Sequence, residues 1–189
     1  MASEARQSGL VACDIETRRV EWEDNFLISI GFATSDTRSI ALYDIPIAGA
    51  QGAKQFGHSP EIYRALRALL SATDFKWVWH NGKFDCGRLF YLCNLEAHVD
   101  EDTMLKHYVQ VNERKGTHGL KDLGQLYLQA PAWDDDLEEI KRTWCKQNKT
   151  KISDFMYNDI PVTTLIPYMQ RDTIATRRLL GVLDSLKRP

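Results

Sequence analysis

LVACDIET, residues 10–17, is the stretch on which the reading of this chain turns. An apolar run from Leu10 to Cys13 breaks into charge at Asp14 and Glu16, the pattern of a buried central strand that delivers side chains to one end of a sheet. Two residues apart on an extended chain, Asp14 and Glu16 point to the same face. A third carboxylate, Asp85, lies in WHNGKFDCGRL. It follows a short aromatic strand expected over 76–80 and an Asn-Gly turn at Asn81 and Gly82, and it sits where Phe84, Leu89, Phe90 and Leu92 begin a helical pattern. Tyr168 and Asp172, in PYMQRDTIATRRL, are four apart just after Pro167, a residue tolerated in the first turn of a helix. A phenol and a fourth carboxylate then project from one helix face.

With 26 Asp and Glu in the chain, any single acidic residue is ordinarily solvated surface. The inference rests on three motifs in this order, each at a strand or helix end. Like charges about 4 Å apart repel by roughly 4 kcal/mol per pair at an effective dielectric near 20, so a cluster of four carboxylates calls for cations. Oxygen ligands without Cys or His suit Mg²⁺ or Mn²⁺ rather than zinc. Two such divalent ions about 3.5 to 4 Å apart can activate water and stabilise the leaving oxygen of an in-line displacement at phosphorus, which implies phosphodiester hydrolysis.

These residues resemble the DnaQ-like DEDD exonucleases, and within them the DEDDy branch found as the proofreading domain of family A DNA polymerases. DIET resembles the first motif of that family, HNGKFDCGRL the second and YMQRD the third. The sister branch carries a His five residues before the last Asp; here that position is Pro167, and Tyr168 stands four before it. EDTMLKHYVQ, HGLKDLGQLYL and NDIPVTTLIPYMQRD extend the likeness over roughly residues 10 to 181.

The resemblance implies a ribonuclease H-like α/β fold, with a mixed five-stranded sheet and helices on both faces. It implies that Asp14 bridges two metal ions, that Glu16 and Asp172 complete the site holding the attacking water, and that Asp85 holds the second ion. Tyr168 would orient the water, and Glu16 would also meet the terminal 3′ hydroxyl. Val20 and Leu137 fall where the family places apolar wedges between the last bases, with ordinary packing as the alternative. Asn81 matches an Asn that touches the substrate strand, with a turn role as the alternative.

Composition agrees with a soluble globular protein: 189 residues, 43% hydrophobic and 26% charged. Residues 1–9 are expected to form a flexible tail and residues 10–189 a single exonuclease domain. No stretch is long and apolar enough to span a membrane, and Cys13, Cys86, Cys93 and Cys145 form no CxxC pair, which fits a reduced cytoplasmic setting in a bacterial or phage-infected cell. The formal net charge of −2 becomes +2 when the four proposed metal-binding carboxylates are set aside. Basic residues gather at Lys141, Arg142, Lys146, Lys149 and Lys151, and at Lys106, Arg114, Lys115 and Lys121; a charge run of this kind is ordinarily a solvated face.

Hydrophobic periodicity predicts strands at 10–13, 26–32, 39–43, 76–80 and 97–99. Helices are expected at 60–70, 102–111, 120–128, 137–145 and 167–183, and the segment Gly49 to Gly57 reads as a loop. The functional expectation is a 3′ to 5′ exonuclease that hydrolyses the terminal phosphodiester of single-stranded or mismatched DNA, with single-stranded 3′ ends and a DNA polymerase domain or subunit as partners. Two alternatives stand beside it: an RNase D-like exoribonuclease, and a non-catalytic module that binds single strands or docks to a polymerase. Excised proofreading domain, free-standing nuclease and half of a split polymerase all accommodate the motifs.

Overall fold

The computed structural model describes residues 2–19, 25–43, 47–48, 55–56, 60–111 and 118–186. The chain opens with helix α1 (Ala2–Ser8), then strands β1 (Leu10–Thr17), β2 (Leu27–Ala33) and β3 (Ser39–Tyr43). The short strands β4 (Ile47–Ala48) and β5 (Gln55–Phe56) pair with each other, and α2 (Pro60–Leu70), β6 (Lys76–Trp79), α3 (Gly82–Cys93) and β7 (Glu101–Asp102) follow. The remaining α-helices among the described residues are α4 (Thr103–Val111), α5 (Leu120–Leu128), α6 (Asp135–Asn148) and the long α7 (Val162–Ser185).

The main sheet runs β3-β2-β1-β6-β7, antiparallel across β3, β2 and β1 and parallel across β1, β6 and β7. This is the expected mixed five-stranded sheet, and β1 lies at its centre. Alternation along β1 sorts side chains to two faces. Val11, Cys13 and Ile15 join Leu66 and Leu70 of α2 and Leu89, Leu92 and Cys93 of α3 in one apolar cluster that also holds Trp77 and Trp79. On the other face Ala12, Ala33 and Val78 pack against Leu180 of α7. The residues on the α7 side are small, and Gly31, the register partner of Asp14, is the extreme case. A Cβ at Gly31 would lie 3.0 Å from Thr173 Cγ2 and 3.5 Å from Met169 Cε. Bare backbone at this point lets the helix sit close on the sheet.

One carboxylate organises the far side of the sheet. Asp102, at the end of β7, accepts hydrogen bonds from the backbone N–H groups of Asn81 and Gly82 at 3.1 and 2.8 Å and of Met104 and Leu105 at 3.0 and 3.1 Å. It therefore satisfies orphan donors at the starts of both α3 and α4. Gly82 is also pressed against Trp79, where a Cβ would come within 2.5 Å of Trp79 Cβ.

Four expectations from the sequence are corrected. Residues 2–8 form α1 rather than a flexible tail, with Ala5 fully buried in the main core cluster. The last strand of the sheet is Glu101–Asp102, not 97–99: the His98 carbonyl is taken by the Trp79 indole at 2.8 Å and the Trp77 amide by the Asp100 carboxylate at 2.7 Å, so those groups are engaged outside a ladder. Helix α7 starts at Val162, after Pro161, and Pro167 lies inside it, so Pro167 is not a first-turn residue. Of the segment Gly49 to Gly57, only Gln55 and Phe56 are among the described residues, and they form β5.

Because the atoms nearest a Cβ at Gly82 are Trp79 Cβ and Cγ, close to the backbone and unable to swing aside, Gly82→Ala should destabilise the fold by about 1–3 kcal/mol. A urea titration checks this. A midpoint equal to wild type would mean that α3 can slide away from β6.

Candidate active site

Three elements bring the acidic residues together. The α7-facing side of β1 presents Asp14 and Glu16, with a register shift in the β1–β2 ladder between Glu16 and Thr17. Helix α3 supplies Asp85 from its first turn. Helix α7 supplies Tyr168 and Asp172, one turn apart, and Asp172 falls within the buried stripe that also contains Leu165, Met169, Thr173 and Thr176. Asp14, Glu16 and Asp172 each offer an oxygen within 4.8 Å of the others, a grouping able to hold a metal ion. Asp85 stands outside that trio. It is buried, and its Oδ1 accepts the Ile15 N–H at 3.3 Å, which ties it to the strand between Asp14 and Glu16.

Crowding acidic groups in a buried place raises their affinity for protons. The Asp14 carboxyl is pushed well above the ordinary range, by burial first and then by the charges of Asp85, Asp172 and Glu16, with Lys121 opposing. Burial and the neighbouring Asp172 push Glu16 up to about 8. Asp85 is pushed up to about 7 by burial, against the lowering effect of the Ile15 amide. Burial and Asp172 raise the Tyr168 phenol well above its usual value, which keeps it protonated at neutral pH.

The fit to a cation is tested by one atom: Asp14 Oδ2 is buried and has no hydrogen-bond partner among the described residues. A carboxylate oxygen in that condition carries a large desolvation cost unless a cation or proton meets it. All three donors are carboxylates, which suits Mg²⁺ or Mn²⁺. The residues present therefore fit a divalent ion.

Several neighbours of the trio were not assigned to it by the sequence reading. Asp172 Oδ1 accepts Trp133 Nε1 at 2.5 Å and is ion-paired with Lys121 Nζ, which also donates to the Tyr168 hydroxyl at 3.2 Å. Gly124 makes room for Trp133, since a Cβ there would meet the indole Cη2 at 2.5 Å. On the Glu16 side, Lys141 Nζ donates to the Tyr157 hydroxyl at 3.0 Å and to Glu138 at 2.8 Å, and its charge lowers the proton affinity of Glu16. Lys121 and Lys141 were visible only as members of basic clusters. The rest of those clusters divides: Arg142, Lys146, Lys149 and Lys151 are exposed, Lys106 pairs with Glu101 and Asp184, and Arg114 and Lys115 lie outside the described residues.

The three expected substrate contacts fall in different surroundings. Asn81 is exposed at the start of α3 in a left-handed conformation (φ 66°), four residues before Asp85, and its side chain makes no capping hydrogen bond. Leu137 is 2% exposed, in an apolar cluster with Ile28, Phe155, Ile160 and Leu165. It is a core side chain here, because α6 turns that face inward. Val20 lies outside the described residues.

A mixed sheet whose central strand ends in carboxylates, met by a long helix carrying Tyr-x-x-x-Asp, defines a DnaQ-type, RNase H-like exonuclease domain of the DEDDy kind. A family model described as 3′-5′ exonuclease matches residues 1–186, and the chain belongs to that family, related to the proofreading domains of DNA polymerases. It is 33% identical over 177 residues to a DNA polymerase of Escherichia phage T5, an alignment covering 90% of this chain and 19% of the polymerase. The chain thus spans about a fifth of the length of that relative. Among solved structures, Brucella melitensis NrnC with bound Mg²⁺ is similar at a TM-score of 0.65 and 15% identity, over 95% of this chain and 74% of that one; NrnC has also been solved bound to pGG. The Trypanosoma brucei RNase D complex with GMP is similar at a TM-score of 0.62 and 15% identity, over 98% of this chain and 54% of that one.

The raised carboxyl groups give a sign for the metal-free protein. Asp85 and Glu16 hold protons more tightly folded, near 7 and 8, than in an unfolded chain, near 4. Their contribution to stability is present below the unfolded values and is lost as pH rises toward the folded ones. In EDTA the thermal midpoint should therefore fall between pH 5 and 8, a trend that Mg²⁺ or Mn²⁺ should reverse. Asp14→Asn removes one of the repelling groups and should raise the EDTA midpoint at pH 8. Thermal melts across this range check both, and an Asp14→Asn midpoint below wild type would contradict the repulsion.

Proposed function

We propose that this chain is a metal-dependent 3′ to 5′ exonuclease that removes nucleotides from the 3′ end of a single strand. The observation that carries this reading is the convergence of Asp14, Glu16 and Asp172, together with an Asp14 oxygen, Oδ2, that is buried without a hydrogen-bond partner among the described residues. A divalent ion held by Asp14, Glu16 and Asp172, with a second one at Asp14 and Asp85, would supply Lewis acidity to the phosphate and a hydroxide-like water at neutral pH.

The protein's own groups provide the rest. Tyr168, kept as a neutral phenol by burial and by Asp172, can orient a water by hydrogen bonding but does not serve as a base. Attack forms a water-oxygen to phosphorus bond as the bond to the 3′ oxygen of the penultimate nucleotide breaks, and that oxygen leaves as the new 3′ hydroxyl. Asn81, exposed at the start of α3, is assigned to the substrate strand. Glu16, flanked by Lys141 and Tyr157, is assigned to the terminal 3′ hydroxyl.

Two readings of the sugar follow from different relatives. The RNase D-like reading, an exoribonuclease, is supported by the fold shared along nearly the whole chain with an RNase D solved with GMP and with NrnC solved with pGG. The DNA reading, a proofreading nuclease working with a polymerase domain or subunit, is supported by the 33% identity to the phage T5 DNA polymerase. The breadth of the structural likeness favours the RNase D-like reading.

End-labelled RNA and DNA strands of one sequence, incubated with Mg²⁺, Mn²⁺ or EDTA, decide activity, polarity and sugar together. Shortening from the 3′ end is expected in either metal and none in EDTA, with RNA consumed faster under the RNase D-like reading. Asp14→Ala should slow cleavage by about a thousandfold or more, corresponding to several kcal/mol of transition-state stabilisation. Cleavage at the wild-type rate in EDTA, or by Asp14→Ala, would sink the metal mechanism.

Tyr168→Phe isolates the water-orienting hydroxyl. Metal affinity should persist while turnover drops, by less than for Asp14→Ala, as expected for a group that positions rather than ligates. Single-turnover kinetics read the difference, and unchanged turnover would assign Tyr168 to packing.

A further inference from the structure

Among the described residues, Lys121, on the first turn of α5, is ion-paired with a carboxylate of the candidate centre, and its surroundings are specific. The ammonium is ion-paired with Asp172 Oδ1, donates to the Tyr168 hydroxyl at 3.2 Å, and lies 4.4 Å from the centre of the Tyr168 ring and 5.0 Å from that of Trp133. Its side chain is only 24% exposed. Trp133 Nε1 donates to the same Oδ1, so both donors crowd one oxygen of Asp172, and among the described residues its other oxygen accepts no hydrogen bond. Lys121 is also close enough to oppose the carboxyl shifts of Asp14 and Glu16. One ammonium thus touches a carboxylate and a phenol of the site and is felt by two further carboxylates.

We propose that Lys121 is a positioning residue with a fixed counter-charge. It aims the Tyr168 hydroxyl, turns the free oxygen of Asp172 toward Asp14 and Glu16, and holds divalent-ion affinity below what the carboxylates alone would give. The proposal rests on the metal-dependent nuclease reading. Its two effects follow from one contact set. An ammonium and a divalent ion sharing Asp172 repel each other across a few ångströms, so removing the ammonium charge strengthens ion binding, by roughly tenfold or more for like charges at that range. The same removal releases Tyr168, so turnover falls as binding tightens. A side chain that only fills space gives another pattern, in which binding and turnover weaken together.

Calorimetric titration of the full chain with Mn²⁺, alongside single-turnover kinetics, tests this on wild type, Lys121→Met, Lys121→Arg and each paired with Tyr168→Phe. Lys121→Met keeps much of the apolar stem, and Lys121→Arg restores the charge. Expected are roughly tenfold tighter Mn²⁺ binding with slower turnover for Lys121→Met, and a return toward wild-type affinity for Lys121→Arg. In the Tyr168→Phe background the turnover loss from Lys121→Met should largely vanish, because the hydroxyl it acts through is gone. Unchanged or weaker Mn²⁺ binding by a folded Lys121→Met, or equal turnover losses in both backgrounds, would overturn the assignment of Lys121 while leaving the nuclease reading intact. A wild-type protein that binds no Mn²⁺ would overturn the metal reading itself, and the role of Lys121 with it.

Discussion

Repulsion among the carboxylates at the end of β1 is the constraint around which the structure is arranged. Four acidic groups drawn from three elements lie close enough that Asp14 feels the other three, and one oxygen of Asp14 is buried without a hydrogen-bond partner among the described residues. A fold accepts such an arrangement only if other interactions offset the cost. Here the offset comes from burial on both faces of the central sheet and from a few well-placed donors: the Ile15 amide on Asp85, and Trp133 with Lys121 on Asp172. The site is thus electrostatically incomplete as a protein, a condition that a divalent cation relieves.

The parts of this arrangement legible in the sequence were those written in local periodicity. LVACDIET announces a strand and its charged end because burial on both faces of β1 forces an apolar run, and Tyr168 and Asp172 share a helix face wherever the helix begins. The start of α7 was less legible because two prolines, Pro161 and Pro167, each mark a plausible first turn, and the local pattern does not say which is inside. Lys121 and Trp133 could not be placed from sequence: they meet Asp172 from 51 and 39 residues away, and no spacing rule connects them. Leu137 shows the converse limit, since a leucine on a helix reads the same whether its face turns to a strand or to the core, and the fold turns it to the core.

Asp102 illustrates how a carboxylate outside the centre helps to define it. Because it holds the first amides of α3 and of α4, the turn that carries Asn81 and Gly82 is fixed to the end of β7. Asp85 sits on the turn of α3 that follows, so its position against the Ile15 amide depends on an acidic residue that itself accepts hydrogen bonds from four backbone N–H groups. The two aspartates are thus held differently: Asp102 accepts four backbone amides, and Asp85 is raised in proton affinity by burial.

The missing side chain at Gly31 bears on how the helix seats beside the centre. Gly31 is paired with Asp14 across the ladder and lies under Thr173, the residue next to Asp172, so the helix rests almost directly on the backbone of β2 there. A Cβ at this position would crowd Thr173 and Met169, on the stretch of α7 that carries Asp172. How closely the Asp172 turn seats against the sheet beside Asp14 therefore depends on a residue without a side chain.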